Sequence, residues 1–158
     1  MFRILIPIDG STRSLKSLEL LKELYKPGDV AVTLIEVCEN ESHMLARETL
    51  QERKNLAAAG LAKLADALEG YDCICRVEIG SAGEEILRAA DEEESDMIIM
   101  TRSSSKNVLA RTGSVASYVI KHAICMVLIT PDISKADRRE RRISQENIRA
   151  VSDFWKEI

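Results

Sequence analysis

The sequence predicts a doubly wound α/β domain: a five-stranded parallel sheet of Rossmann-like type with helices on both faces. Three observations predict it. Short apolar runs recur along the first 130 residues, each bounded by polar or turn residues, as strands buried on both faces are. Segments with helical periodicity lie between them. The two kinds alternate strictly, and strands joined by helical crossovers pair in parallel with right-handed connections.

"FRILIPI" (residues 2–8) is the first strand, stopped by "DGS". Residues 11–25 form the first helix: Leu15, Leu18, Leu21 and Leu24 recur every three positions, Ser11 is placed to cap the start, and Pro27-Gly28 ends the segment. "VAVTLIEV" (30–37), rich in β-branched residues, is the second strand. Residues 41–69 read as a long helix with its apolar stripe at Ala57, Leu61, Leu64 and Leu68. "YDCICRVEI" (71–79) is the third strand, and Ser81 with Glu84 has the spacing of a capping box at the start of the third helix. "DMIIMT" and "CMVLIT" are the last two strands, and "TGSVASYVIKHA" is the helix between them.

Beyond Pro131 the pattern changes. "DISKADRRERR" is a charged linker, and Ile148, Val151 and Trp155 recur at helical spacing, so Ser144 to Glu157 is expected to be an amphipathic helix whose Trp needs a covering surface. Two units are therefore expected, a domain over 1–130 and an appended element over 131–158. Trp155 with Ile148, Val151 and Phe154 favours a docked helix, on its own domain or across a dimer.

Composition narrows the function classes. At 158 residues, 46% hydrophobic and 30% charged, the chain has the balance of one globular cytoplasmic domain. Its apolar runs fall far short of the roughly 20 residues that cross a bilayer, and no leader pattern opens the chain, so no membrane association is expected. A net charge of −4 gives no basic footprint for nucleic acid. Cys38, Cys73, Cys75 and Cys125 form no C-x-x-C pair and read as buried reduced thiols, so no metal is assigned. His43 and His122 lie on helices without a nucleophile pattern. Walker-type, G-x-G-x-x-G and G-x-S-x-G motifs are absent, which leaves an enzyme reading little support and names no catalytic residue.

In doubly wound sheets a ligand sits beyond the carboxyl ends of the strands, where strand order reverses. The first strand delivers Pro7, Ile8 and Asp9 there, followed by Gly10 and Ser11; the second ends at Val37; the fourth delivers Met100, Thr101, Arg102 and Ser103. The helix that begins at Gly113, Ser114 and Val115 brings unpaired amides and its dipole, a ready anion site.

"RILIPIDGS", "VTLIEV", "IGSAGEEILRAADEEESDMIIM" and "GSVASYVIKHAICMVLIT", in that order, resemble the universal stress protein family over roughly residues 2–130. The resemblance implies the adenine nucleotide alpha hydrolase-like variant of the fold. It implies an adenine nucleotide, ATP or AMP, as cofactor, and a homodimer joined through the last strand, Cys125 to Thr130. It also implies a stress-response regulator that binds nucleotide without rapid turnover. In the nucleotide-binding branch the fourth strand runs into G-x-x-G, nine residues, then G-[ST]. Asp9 matches the acid near the adenosine, Val37 the backbone contact to adenine, and Gly113-Ser114 the phosphate-binding pair.

The loop between departs from that pattern. Met100-Thr101-Arg102-Ser103 stands one residue short of the family's M-G-x-R-G, and Ser103 holds the place of the second Gly, separated from Gly113 by nine residues, Ser104 to Thr112. Glycines there admit positive φ and let amides approach an anion. Two readings follow. In one, hydroxyls of Ser103, Ser104 and Ser105 with Arg102 or Lys106 replace part of the phosphate grip. In the other, "SSSK" is a polar surface loop over a closed pocket, and the protein is a dimeric interaction module of the same fold.

Overall fold

A computed structural model describes residues 1–39, 47–101 and 113–130 of the chain. Nine elements alternate in order: β1 (Phe2–Pro7), α1 (Leu15–Leu24), β2 (Val30–Cys38), α2 (Arg47–Asp66), β3 (Asp72–Ile79), α3 (Ala82–Glu92), β4 (Met97–Thr101), α4 (Ser114–His122) and β5 (Met126–Thr130). The strands form one sheet in the order β3-β2-β1-β4-β5, and every neighbouring pair is parallel. The predicted doubly wound sheet is the observed one. The expected linker and C-terminal helix of 131–158 lie outside the described residues.

The two faces are built by residue alternation, since successive side chains of a strand point to opposite sides. Ile4, Ile6 and Ile8 of the first strand and its extension, with Val30, Val32, Leu34 and Ile99, bury against Leu18 and Leu21 of α1 and Leu61 and Leu68 on the α2 side. Leu5, Ile35, Ile98 and Met100 point the other way, onto Ile86, Ala89 and Ala90 of α3 and Ala116 and Val119 of α4. Both faces are covered, which is why the central strands read as near-continuous apolar runs, as in "ILI" of β1 and "MIIM" of β4. Burying Ile4, Leu5 and Ile6 alone, each exposed by 1% or less, stabilises the fold by about 1.5–3 kcal/mol per side chain.

The chain reverses direction between β1 and β4, which pair at Ile4↔Met97 and Leu5↔Ile98. From β1 it winds outward through β2 to β3 and then crosses back to β4. The carboxyl ends of β1 and β4 therefore open a crevice, with connections leaving to either side. The helices α3 and α4 pack closely beside it: a Cβ at Gly83 would lie 2.6 Å from Cδ1 of Tyr118, so only glycine permits this approach.

Three local expectations are corrected. The first helix starts at Leu15 with Ser14 at its N-cap, not at Ser11, because Ser11 belongs to a turn with Asp9. The cysteines are not uniformly buried: Cys38 is buried, Cys73 and Cys125 are half-buried, and Cys75 is exposed on the edge strand β3. Burial pushes the Cys73 thiol up to about 11, with Cys75 and Asp72 adding to the effect. The capping box at Ser81 is also not formed; what replaces it belongs to the site.

Candidate functional site

Beyond the carboxyl ends of β1, β2 and β4 lies a cavity of about 300 Å³. Of the residues expected there, Pro7, Ile8, Asp9, Val37, Met100, Thr101, Gly113, Ser114 and Val115 line it. Gly10 and Ser11 stand beside it and shape Asp9. Arg102 and Ser103 lie outside the described residues, as do Ser104, Ser105 and Lys106.

Asp9 follows β1 at the point where Ile8 still donates its amide to the Ile35 carbonyl at 2.8 Å. Gly10 then takes φ +74°, a conformation other residues rarely adopt, and turns the chain so that Ser11 faces back. The Ser11 amide donates to Asp9 Oδ1 at 2.9 Å and its hydroxyl donates to the same oxygen at 2.5 Å. Ser14 closes the turn, its hydroxyl donating to the Ser11 carbonyl at 2.8 Å. Burial acts to raise the Asp9 carboxyl. The donors from Ser11 and Ser14, with the charge of Arg13, outweigh it and hold the group below the usual carboxylate range. Asp9 is a fixed anion at neutral pH. Glu36 shows the opposite balance: burial, then the charge of Asp9, raises its carboxyl against the pull of Arg53.

Thr101 ends β4 at the rim. Its hydroxyl donates to the Arg13 carbonyl at 3.0 Å, lies 3.0 Å from the Ser17 hydroxyl and accepts from Thr130 at 3.0 Å. In the sequence Thr101 belongs to the stretch that stands one residue short of the family's M-G-x-R-G. In the structure its hydroxyl ties α1 and β5 to β4.

Opposite Asp9, α4 begins at Gly113, whose φ of +70° and ψ of 147° form a strained corner for any residue with a Cβ. The first helical bond runs from the Ser117 amide to the Gly113 carbonyl at 3.0 Å. The amides before Ser117 therefore have no partner within the helix and lie at the cavity wall, at the positive end of the dipole.

Sequence reasoning missed the wall between. Arg13, Ser14, Ile35, Glu39, Ala82, Ile86 and Ala116 also line the cavity. Glu39, one residue past β2, reaches across so that its Oε1 accepts the Ala82 amide at 3.1 Å, capping α3 where Ser81 was expected to. The signal that would have found this wall is topological: helices following parallel strands all begin at the carboxyl edge, so α3 starts beside the same crevice as α4. Asp9 and Glu39 bring carboxylates to the cavity, Arg13 a cation, and the α4 amino terminus the positive end of a helix dipole. Among the described residues no group of three or more His, Cys, Asp or Glu side chains is arranged to hold a metal ion.

The chain is a doubly wound α/β domain with an acid after β1 and a glycine-led helix at the switch point, the place where domains of this architecture hold their ligands. The chain belongs to the universal stress protein family, whose family model matches residues 1–131. It is 31% identical over 138 residues to universal stress protein MJ0531 of Methanocaldococcus jannaschii, covering 80% of each chain. In structure it is similar to the protein MJ0577, with a TM-score of 0.74, 24% identity, and coverage of 84% of this chain and 97% of that one. The universal stress protein of Archaeoglobus fulgidus in complex with dAMP superposes with a TM-score of 0.60 at 20% identity, covering 82% and 97%. A family member from Arabidopsis thaliana with AMP bound gives 0.60 at 16%, covering 85% and 94%. These last likenesses are of fold.

Proposed function

We propose that this protein is a stress-response regulator that binds an adenine nucleotide in the cavity at the carboxyl ends of β1, β2 and β4 and does not turn it over rapidly. One observation carries the reading: Asp9, Val37 and the Gly113-Ser114 turn, far apart in sequence, line a single cavity together with the amino terminus of α4. The adenosine lies between Asp9 and the end of β2, and the phosphate points to the first turn of α4. The relatives crystallised with AMP and dAMP support this ligand class. Because the loop after β4 lacks the family's two glycines, the grip on a triphosphate is weakened, and AMP competes nearly as well as ATP. Residues 1–130 form the binding unit, 131–158 are an appended linker and amphipathic helix, and the protein works in the cytoplasm.

Equilibrium dialysis of the full chain with labelled AMP, ATP and cyclic AMP tests the reading. Binding of AMP within a few-fold of ATP is the expected result. No binding at millimolar concentration overturns it, and ATP binding far tighter than AMP means that the serines and Lys106 have replaced the glycine grip.

A second reading has its own observation. Ile124 is 91% exposed and Met126 53% exposed at the start of the edge strand β5, and Ile120 of α4 is 49% exposed. An apolar sheet edge of this kind pairs with or is covered by another surface. A homodimer through β5 satisfies it, and in the absence of nucleotide binding the protein is an interaction module built on that dimer.

A further inference from the structure

Two helices bring their amino-terminal turns to the cavity: α3 through Ala82 and Ile86, α4 through Gly113, Ser114, Val115 and Ala116. An uncapped helix start of either kind attracts an anion, because its first amides lack partners and the dipole is positive there. The two starts differ. Glu39 Oε1 accepts the Ala82 amide at 3.1 Å, so α3 already holds a carboxylate. The N-cap of α4 is Gly113, which has no side chain to offer.

The Glu39 backbone is held where it must be for this contact. Its carbonyl accepts from Arg53 Nη1 at 3.1 Å, and the Gly80 amide donates to the Cys38 carbonyl at 3.4 Å, tying the end of β2 to the turn that leads into α3. Glu39 also follows Val37 by two residues and lines the same cavity.

We propose that Glu39 is a specificity-determining residue of the cavity: by occupying the α3 amino terminus it closes that end to phosphate, directs the phosphate of a bound nucleotide to α4, and disfavours ligands with additional phosphates. The inference rests on the nucleotide reading and deepens it. A nucleoside meets Asp9 and Glu39 as hydrogen-bond acceptors at no electrostatic cost, and a monophosphate reaches α4. The further charges of a triphosphate share the cavity with the Glu39 carboxylate, and Arg13, which also lines it, offsets only part of the repulsion. The discrimination is about tenfold, the order that one unit charge exerts on another roughly 10 Å away at an effective dielectric near 20.

The test is calorimetric titration of the full-length wild type, Glu39→Gln and Glu39→Ala with adenosine, AMP and ATP. Gln keeps a neutral oxygen for the Ala82 amide, so that variant retains the cap and reports the charge alone. Both variants are expected to raise the ATP-to-adenosine affinity ratio by about tenfold, and an unchanged ratio in the folded Gln variant overturns the proposal. If the wild type binds none of the three ligands, the nucleotide reading has failed, and Glu39 is judged by inorganic phosphate. An Ala82 amide resonance that shifts with phosphate in Glu39→Ala and not in the wild type upholds the closure, and its constancy in both overturns it.

Discussion

The hydroxyls of Thr101 and Thr130 meet at 3.0 Å across the carboxyl ends of β4 and β5, with Thr130 donating. A threonine hydroxyl has one proton, and that of Thr101 goes to the Arg13 carbonyl. Ser17, also 3.0 Å away, must then be the second donor to Thr101. One side chain thus joins α1, β4 and β5 at the rim of the cavity, and its hydroxyl has no capacity left for a ligand.

Removing that hydroxyl at constant shape isolates its contribution. In Thr101→Val the Arg13 carbonyl keeps the Lys16 amide at 3.0 Å and Thr130 keeps the Met100 carbonyl at 3.5 Å, but each loses a hydrogen bond, and Ser17 loses its bond to Thr101. Leaving such groups unmade costs about 1–3 kcal/mol. A lowered urea midpoint with an unchanged slope is the expected result, and Thr101→Ser should recover most of the loss.

Much of this fold is legible in the sequence because its signals are local. Ile4 and Ile6 alternate with Leu5, and each set buries on its own sheet face. Strict alternation of strand and helix then leaves few topologies, which is why Asp9 and Gly113 could be placed together before their geometry was known. The site's misread parts are those where a long-range partner displaces a local one. Ser81 and Glu84 have capping-box spacing, yet Glu39, 43 positions away from Ala82, makes the cap. Ser11 has the residue type of an N-cap and its hydroxyl oxygen accepts the Ser14 amide at 3.4 Å, but its own amide and hydroxyl proton go to the Asp9 carboxylate, and the helix begins only after Ser14. Periodicity has no term for either contact.

Gly83 shows a constraint that composition hides. A methyl group there would meet Cδ1 of Tyr118 at 2.6 Å and its Cβ at 3.3 Å, so rotating the ring alone does not clear it. Gly83→Ala is expected to destabilise the protein by about 1–3 kcal/mol through overpacking between α3 and α4. Pairing it with Tyr118→Ala should return part of that loss. Additive losses in thermal denaturation of the double variant would show that the two residues do not meet.

Glu36 carries a pH signature of known sign. Its carboxyl is raised in the folded protein by burial first and then by Asp9, so the folded state binds its proton more tightly than the unfolded chain does. The contribution is therefore a penalty present above the raised folded value. It fades as pH falls from that value toward the ordinary 4.5. Glu36→Gln should raise Tm at pH 7. The gain should vanish near pH 4. Asp9 has the reverse sign: its lowered carboxyl stabilises the fold above the ordinary value of 3.8, and that stabilisation is lost as pH falls below it.

Gly113 and Asp9 line the same cavity and should fail in different ways. With φ +70° and ψ 147°, Gly113 sits where a Cβ costs about 1–3 kcal/mol, so Gly113→Val should lower Tm and also abolish nucleotide binding by misplacing the start of α4. Asp9→Ala should weaken adenosine and AMP alike, by about 1–3 kcal/mol if a buried ligand donor is left unpaired. Dialysis with both ligands separates the two effects.

The edge strand β5 gives the most direct test of assembly. It pairs with β4 from Met97↔Met126 to Thr101↔Thr130, and among the described residues no strand lies on its other side. Its start is apolar and open, with Ile124 and Met126 exposed, as is Ile120 of α4. Two copies related by a twofold axis can join such edges antiparallel, each presenting the same residues to the other. Backbone ladders then satisfy the free edge while the apolar side chains leave water. Sedimentation at micromolar concentration should show a species of about twice the chain mass of 17.6 kDa. Met126→Glu places two carboxylates in that seam, one from each copy, and should shift the protein to monomer without changing its circular dichroism. A wild type that sediments only as monomer sinks the β5 dimer, and a dimeric Met126→Glu moves the interface elsewhere on the surface.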